Sequence, residues 1–194
     1  MSLKTGLRAA SRACAAAAFV LVCLVHASAQ DESSLTPPKV EVKATAGGAA
    51  FALEDNDSLA HKAVGGALRV YISRRWSVEP EFMYMRRNAD DQDYFFTPSV
   101  AYDIVPPTRK AVPYVIAGVG VEHHTGRIVG ADFNTGVPFV TDTKFTTWSL
   151  GIGAGVKVFV TDRLYVAPEF RVGREPYARA TVSVGYVLDG RKRR

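Results

Sequence analysis

The chain has little of what stabilises or anchors many proteins. Its two cysteines, Cys14 and Cys23, both lie close to the N-terminus. The rest therefore has no disulfide framework and must draw stability from packing, hydrogen bonding or a bilayer. The longest apolar run, Ala13 to Val25, spans 13 residues, short of the roughly 20 that a membrane-crossing helix needs. No later segment holds a 3.6-residue apolar period, which excludes a helical bundle. Charge of one sign is scarce too. The 24 bases and 19 acids include Lys4, Arg8 and Arg12 at one end and Arg191, Lys192, Arg193 and Arg194 at the other, leaving 17 bases against 19 acids between. No basic face with interleaved aromatics forms, so a nucleic-acid partner is not expected.

What is present begins with order. Three positive charges precede the apolar run, and Ala27-Ser28-Ala29 closes it, the arrangement of a secretory signal peptide with a small-x-small cleavage site. Residues 1–29 are read as that signal. Val22 stands before Cys23 where a lipoprotein signal needs a small residue, so a lipid anchor is not expected. Cleavage leaves 165 residues, one domain's worth. Residues 30–39, polar and containing Pro37-Pro38, read as a disordered lead-in.

From Val40 the chain becomes runs of about ten residues rich in Val, Tyr, Phe, Thr and Gly, alternating in polarity and separated by turn residues. Eight are predicted, at 40–53, 61–73, 76–87, 93–104, 111–123, 145–160, 164–173 and 179–188. Side chains of a strand point to opposite faces in turn. In the third run Trp76, Val78, Pro80, Phe82 and Tyr84 share a face, against Ser77, Glu79, Glu81, Met83 and Met85. In the sixth, Trp148, Leu150 and Ile152 oppose Ser149, Gly151, Gly153, Gly155 and Lys157.

Which face is inner separates two readings. With the apolar face inward, the chain is a soluble periplasmic carrier of apolar ligands, like a lipocalin. With it outward, the charges line a narrow lumen. Trp76, Tyr84, Trp148 and Tyr186 stand at run ends on the apolar face, as an interfacial girdle requires. The opposite face is rich in small residues, which suits the tight interior of an eight-stranded barrel. Outward is therefore the expectation.

An internal repeat supports it. Gly65 to Phe82 aligns without gaps onto Gly153 to Phe170, sharing Arg75/Arg163 and the Pro-Glu-Phe at 80–82 and 168–170. Short connections at 73–75, 105–109 and 161–163 alternate with acidic or longer ones at 54–60, 88–92, 124–144 and 174–178, the pattern of an outer-membrane barrel. If Ile72 faces Trp76, Arg69 falls opposite Glu79 with Glu81 one diagonal step away, and in the repeat Lys157 falls diagonal to Glu169. Arg69, Glu79, Glu81, Lys157, Glu169 and Arg171 are the expected lumen salt-bridge network.

The leader, the eight runs, Pro-Tyr-Val-x-x-Gly-x-Gly at 113–120 and Val182-Ser183-Val184-Gly185-Tyr186-Val187 together resemble the small eight-stranded outer-membrane β-barrels of the OmpA/OmpX type, over residues 40–188. The resemblance implies an all-β, antiparallel up-and-down transmembrane barrel in the outer membrane, inserted by the outer-membrane assembly machinery with both termini periplasmic. It implies contact with outer-membrane lipid and lipopolysaccharide, and a monomer. One departure stands out. Family members end on an aromatic residue, whereas residues 189–194 form a basic tail, expected in the periplasm.

Enzymatic signals are weak. A lipid A deacylase, the hydrolase alternative, would carry His-x-Ser on a late strand, where this chain has Phe170-Arg171-Val172-Gly173. His123 and His124 could join Glu122 and Asp132 at a metal, but adjacent strand residues point to opposite faces. Asp55-Asn56-Asp57 and Asp90-Asp91-Gln92-Asp93 read equally as calcium ligands or as solvated loop tips. No catalytic, metal or cofactor site is expected. Any surface partner is expected at 125–143, where Ile128-Val129, Phe133 and Phe139-Val140 stand among turn residues that predict a β-ribbon prolonging the fifth and sixth strands.

Overall fold

The computed structural model describes residues 38–52, 58–88, 90–131, 137–174 and 177–189. The leader 1–29, most of the lead-in, residues 190–194 of the tail, Asp55-Asn56-Asp57, Asp132 and Phe133 lie outside the described residues.

Eight strands follow one another: β1 Val40–Ala52, β2 Ser58–Tyr71, β3 Trp76–Asn88, β4 Asp91–Asp103, β5 Ala111–Ala131, β6 Pro138–Phe159, β7 Leu164–Gly173 and β8 Tyr177–Val187. Each pairs antiparallel with the next, and β1 closes on β8 from Glu41↔Val187 to Phe51↔Tyr177. Closure removes every free edge within the barrel wall, so each wall strand finds backbone partners on both sides.

The predicted registers of the repeated hairpins are present. Ala67↔Glu81 and Val70↔Val78 bracket Arg69 opposite Glu79, and Gly155↔Glu169 with Val158↔Val166 repeats the relation. Both ladders break at one place, opposite Pro80 and Pro168, because proline has no N–H to donate. The turns repeat as well. Ile72 N–H donates to Trp76 O at 2.9 Å and Val160 N–H to Leu164 O at 2.9 Å. Ser73 Oγ accepts from Trp76 N–H at 3.1 Å, as Thr161 Oγ1 does from Leu164 N–H at 2.9 Å.

The apolar face is outside. Val64, Phe82, Phe96, Val119, Trp148, Ile152, Phe170 and Val182 are exposed, while Arg69, Glu79, Lys157 and Glu169 are buried. This is the reverse of what an apolar-cavity carrier requires, and that alternative fails on it. Small residues make the interior fit: a Cβ at Gly185 would lie 2.1 Å from the Tyr165 ring, and one at Gly155 2.6 Å from Tyr114 Oη.

One expectation needs correction. Asp91 and Asp93 are not loop tips but open β4, and Asp93 turns inward and is buried. The β-ribbon expected within 125–143 is present, with β5 and β6 paired up to Ala131↔Pro138. At 21 and 22 residues these two strands rise well beyond the others.

Candidate functional site

Alternation puts Glu41, Lys43 and Thr45 of β1 on the inner face, and the same rule aims Glu79 and Glu81 of β3 and Arg179, Thr181 and Ser183 of β8 inward. A carboxylate there loses its water and must be compensated by donors in the lumen. Glu79, fully buried, takes Lys43 Nζ at 2.6 Å, Arg69 Nε at 2.5 Å and Arg171 Nη2 at 3.4 Å. Glu169 takes Arg171 Nε at 2.6 Å and the Tyr114 hydroxyl at 2.7 Å, with Lys43 Nζ at 3.5 Å. Glu81 holds Arg171 Nη2 and Arg179 Nη2, each at 2.7 Å.

Lys157 lies diagonal to Glu169 along the wall but does not pair with it. Its Nζ reaches across the lumen to Asp103 at 3.0 Å and Glu41 at 3.4 Å, and it donates to the Tyr71 hydroxyl. Glu169 is already occupied by Lys43, Arg171 and Tyr114. Glu81 likewise meets Arg171 and Arg179 rather than its diagonal neighbour Arg69. Sequence reasoning missed Glu41, Lys43, Asp103 and Arg179, although their alternation was readable. Register along adjacent strands does not reveal them, because these residues pair across the lumen.

Apolar layers bound the ionic zone. Towards the short-turn end lie Val112, Phe159, Tyr165, Ala167 and Val187; towards the other lie Ala49, Ala63, Met83, Met85 and Phe95.

Beyond Met85 and Phe95, at the mouth, a second polar group gathers. His61 Nε2 of β2 stands 3.2 Å from Asp91 Oδ1 and 3.5 Å from Asp93 Oδ2 of β4, and His124 Nδ1 of β5 stands 2.6 Å from Asp93 Oδ1. His123 faces outward, with Nδ1 2.8 Å from Thr146 Oγ1.

On the outer wall Trp76, Tyr84, Trp148 and Tyr186 all face away from the lumen. Trp76 packs on Tyr102 at 4.8 Å and Tyr84 on Tyr94 at 5.1 Å between ring centroids. The two repeat turns supply equivalent arginines: Arg75 donates to the Tyr102 hydroxyl and Arg163 to the Tyr186 hydroxyl, each at 3.2 Å. On the β5–β6 ribbon, Arg127 Nε pairs with Asp142 at 3.0 Å. That hydrogen bond and charge raise the guanidinium pKa above its ordinary value, though both groups are solvated.

A closed eight-stranded barrel with charges inside and an aromatic-edged apolar wall is built for a bilayer, and comparison with known proteins agrees. The family model described as the outer membrane protein beta-barrel domain matches residues 15–185. The chain belongs to this family. It is an outer-membrane β-barrel protein, and among solved structures it is similar in fold to others. The N-terminal barrel domain of Pseudomonas aeruginosa OprF is 17% identical, with TM-score 0.57, over 77% of this chain and 97% of that one. Neisserial surface protein A is 15% identical, with TM-score 0.62, over 77% and 97%. Ail, the attachment invasion locus protein of Yersinia pestis, is 13% identical, with TM-score 0.55, over 80% and 99%. No curated protein matches the barrel in sequence.

Proposed function

We propose that this barrel is a non-enzymatic, monomeric outer-membrane protein whose lumen is plugged by charge and whose role is carried by its extracellular surface. The observation that carries the reading is the set of ion pairs across the interior. Lys43, Arg69, Lys157, Arg171 and Arg179 face Glu41, Glu79, Glu81, Asp103 and Glu169, five charges of each sign. An eight-stranded barrel is only wide enough to be filled by side chains, and apolar layers close this one above and below the charges. Residues 1–29 direct export and are removed. The assembly machinery then inserts the barrel with the basic tail in the periplasm.

The contact element is the β5–β6 ribbon, which exposes Val137, Phe139 and Val140. An edge of this kind recruits a partner strand by backbone pairing. A structure of the Yersinia pestis protein Ail is in complex with the heparin analogue sucrose octasulfate, and a surface partner for the present barrel is of a piece with that. Lipopolysaccharide contact is supported by Lys62 and Arg86, paired across β2 and β3 and both exposed above Tyr84. Like charges directly opposite repel unless an anion, here a lipid phosphate, is shared.

Planar-bilayer recording tests the plug: the purified protein gives no large, stable conductance, and a steady open channel would overturn the reading. Deleting Gly126 to Asp142 tests the ribbon. The shortened protein remains heat-modifiable and membrane-inserted while surface binding is lost; binding that survived the deletion would remove the ribbon from consideration.

A further inference from the structure

The ionic lumen uses one set of charges; the mouth holds another that the plug does not need. His61 of β2 and Asp91 and Asp93 of β4 meet inside the rim, with His124 of β5 on Asp93, separated from the salt-bridge network by Met83, Met85 and Phe95. We propose that this group binds a first-row divalent transition cation of the zinc class, with His61 Nε2, Asp91 Oδ1 and Asp93 Oδ2 as ligands and His124 as the residue that positions Asp93.

Geometry supports this first. Zinc bonds to nitrogen and oxygen of about 2.0–2.1 Å in a tetrahedral shell place neighbouring ligand atoms about 3.4 Å apart. His61 Nε2 lies 3.2 Å from Asp91 Oδ1 and 3.5 Å from Asp93 Oδ2, and all three ligand atoms fall within 4.8 Å of one another. A small closure of the two carboxylates completes the triangle.

Charge supports it next. Asp91 and Asp93 bring two carboxylates to a place where the His61 and Asp93 side chains are each 3% exposed. A divalent cation offsets both at once. The set also selects among cations: an imidazole nitrogen suits zinc-class metals, whereas magnesium and calcium favour all-oxygen shells.

The ligands are held in advance. Phe51 meets the His61 ring edge-on at 4.8 Å, and Phe145 stacks on His124 at 4.8 Å. His124 Nδ1, 2.6 Å from Asp93 Oδ1, leaves Asp93 Oδ2 to face His61, the outer-shell pairing that orients ligands at metal centres. A bound ion would tie β2 to β4 over β3 and staple the barrel mouth.

The test uses the mature chain refolded in detergent, stripped with chelator and titrated with zinc chloride by calorimetry. One zinc per barrel is expected, undisturbed by millimolar magnesium or calcium chloride. His61→Ala and Asp93→Asn each weaken it by about tenfold or more while the heat-modifiable gel shift persists, and His124→Ala weakens it by about tenfold. If Asp93→Asn fails to fold, Asp91→Asn at the less buried ligand replaces it. Cobalt chloride gives visible absorption in the wild type that the His61 variant lacks. Absence of saturable zinc binding, or binding unchanged in folded His61 and Asp93 variants, overturns the proposal. Neither result bears on the plugged lumen, which conductance tests separately.

Discussion

Lys43 of β1 places its Nζ 2.6 Å from Glu79 of β3, across the lumen and over the intervening strand β2. Both side chains are buried, so neither can recover water when its partner is removed. Glu79→Ala leaves Lys43, Arg69 and Arg171 without their shared acceptor and is expected to destabilise the barrel by about 3–5 kcal/mol. Urea unfolding in lipid vesicles measures this. A double-mutant cycle with Lys43→Met should return a coupling of about 0.5–3 kcal/mol; purely additive effects would show that the pair does not act as a unit.

Lys157 tests a different junction. Its Nζ compensates Asp103 and Glu41 near the short-turn end, so Lys157→Met removes the cation the two buried carboxylates share and leaves them Arg69 at 3.6 Å from Asp103 and the hydroxyls of Tyr71 and Tyr165. A loss of about 3–5 kcal/mol is expected. Adding Asp103→Asn and Glu41→Gln should recover much of it, because neutral amides remove the charge left behind. A triple variant no more stable than Lys157→Met would count against charge compensation there.

Gly185 is fixed by shape rather than charge. A side chain there would collide with Tyr165, whose hydroxyl donates to Glu41 at 3.0 Å. Gly185→Val is expected to cost about 1–3 kcal/mol through overpacking. Tyr165→Ala, costly in the parent, should be much less so in the Gly185→Val background. Thermal unfolding of the four proteins reads this dependence.

Val182 stands mid-strand on the outer wall of β8 and is 52% exposed. Facing lipid, Val182→Arg is expected to cost about 2–4 kcal/mol, the figure for arginine near a bilayer midplane. Unfolding in vesicles compares it with Lys144→Ala on the exposed ribbon, expected within about 0.5 kcal/mol of the parent. Equal tolerance at both positions would mean that Val182 does not face lipid.

The sequence by itself determined everything that depends on neighbours along the chain or across one turn. The strand period separated Phe82 from Glu81, the repeated turns fixed the registers that set Arg69 opposite Glu79, and the glycines and apolar pairs of 125–143 marked the ribbon. Tertiary structure alone decided the partners across the lumen. Lys157 lies beside Glu169 along the wall yet bonds to Asp103 and Glu41, and His61 meets Asp91 and Asp93 from 30 or more residues away. The physical reason is closure: joining β1 to β8 brings non-adjacent strands within side-chain reach, and which charge then meets which depends on barrel width and strand stagger, quantities that no local pattern encodes.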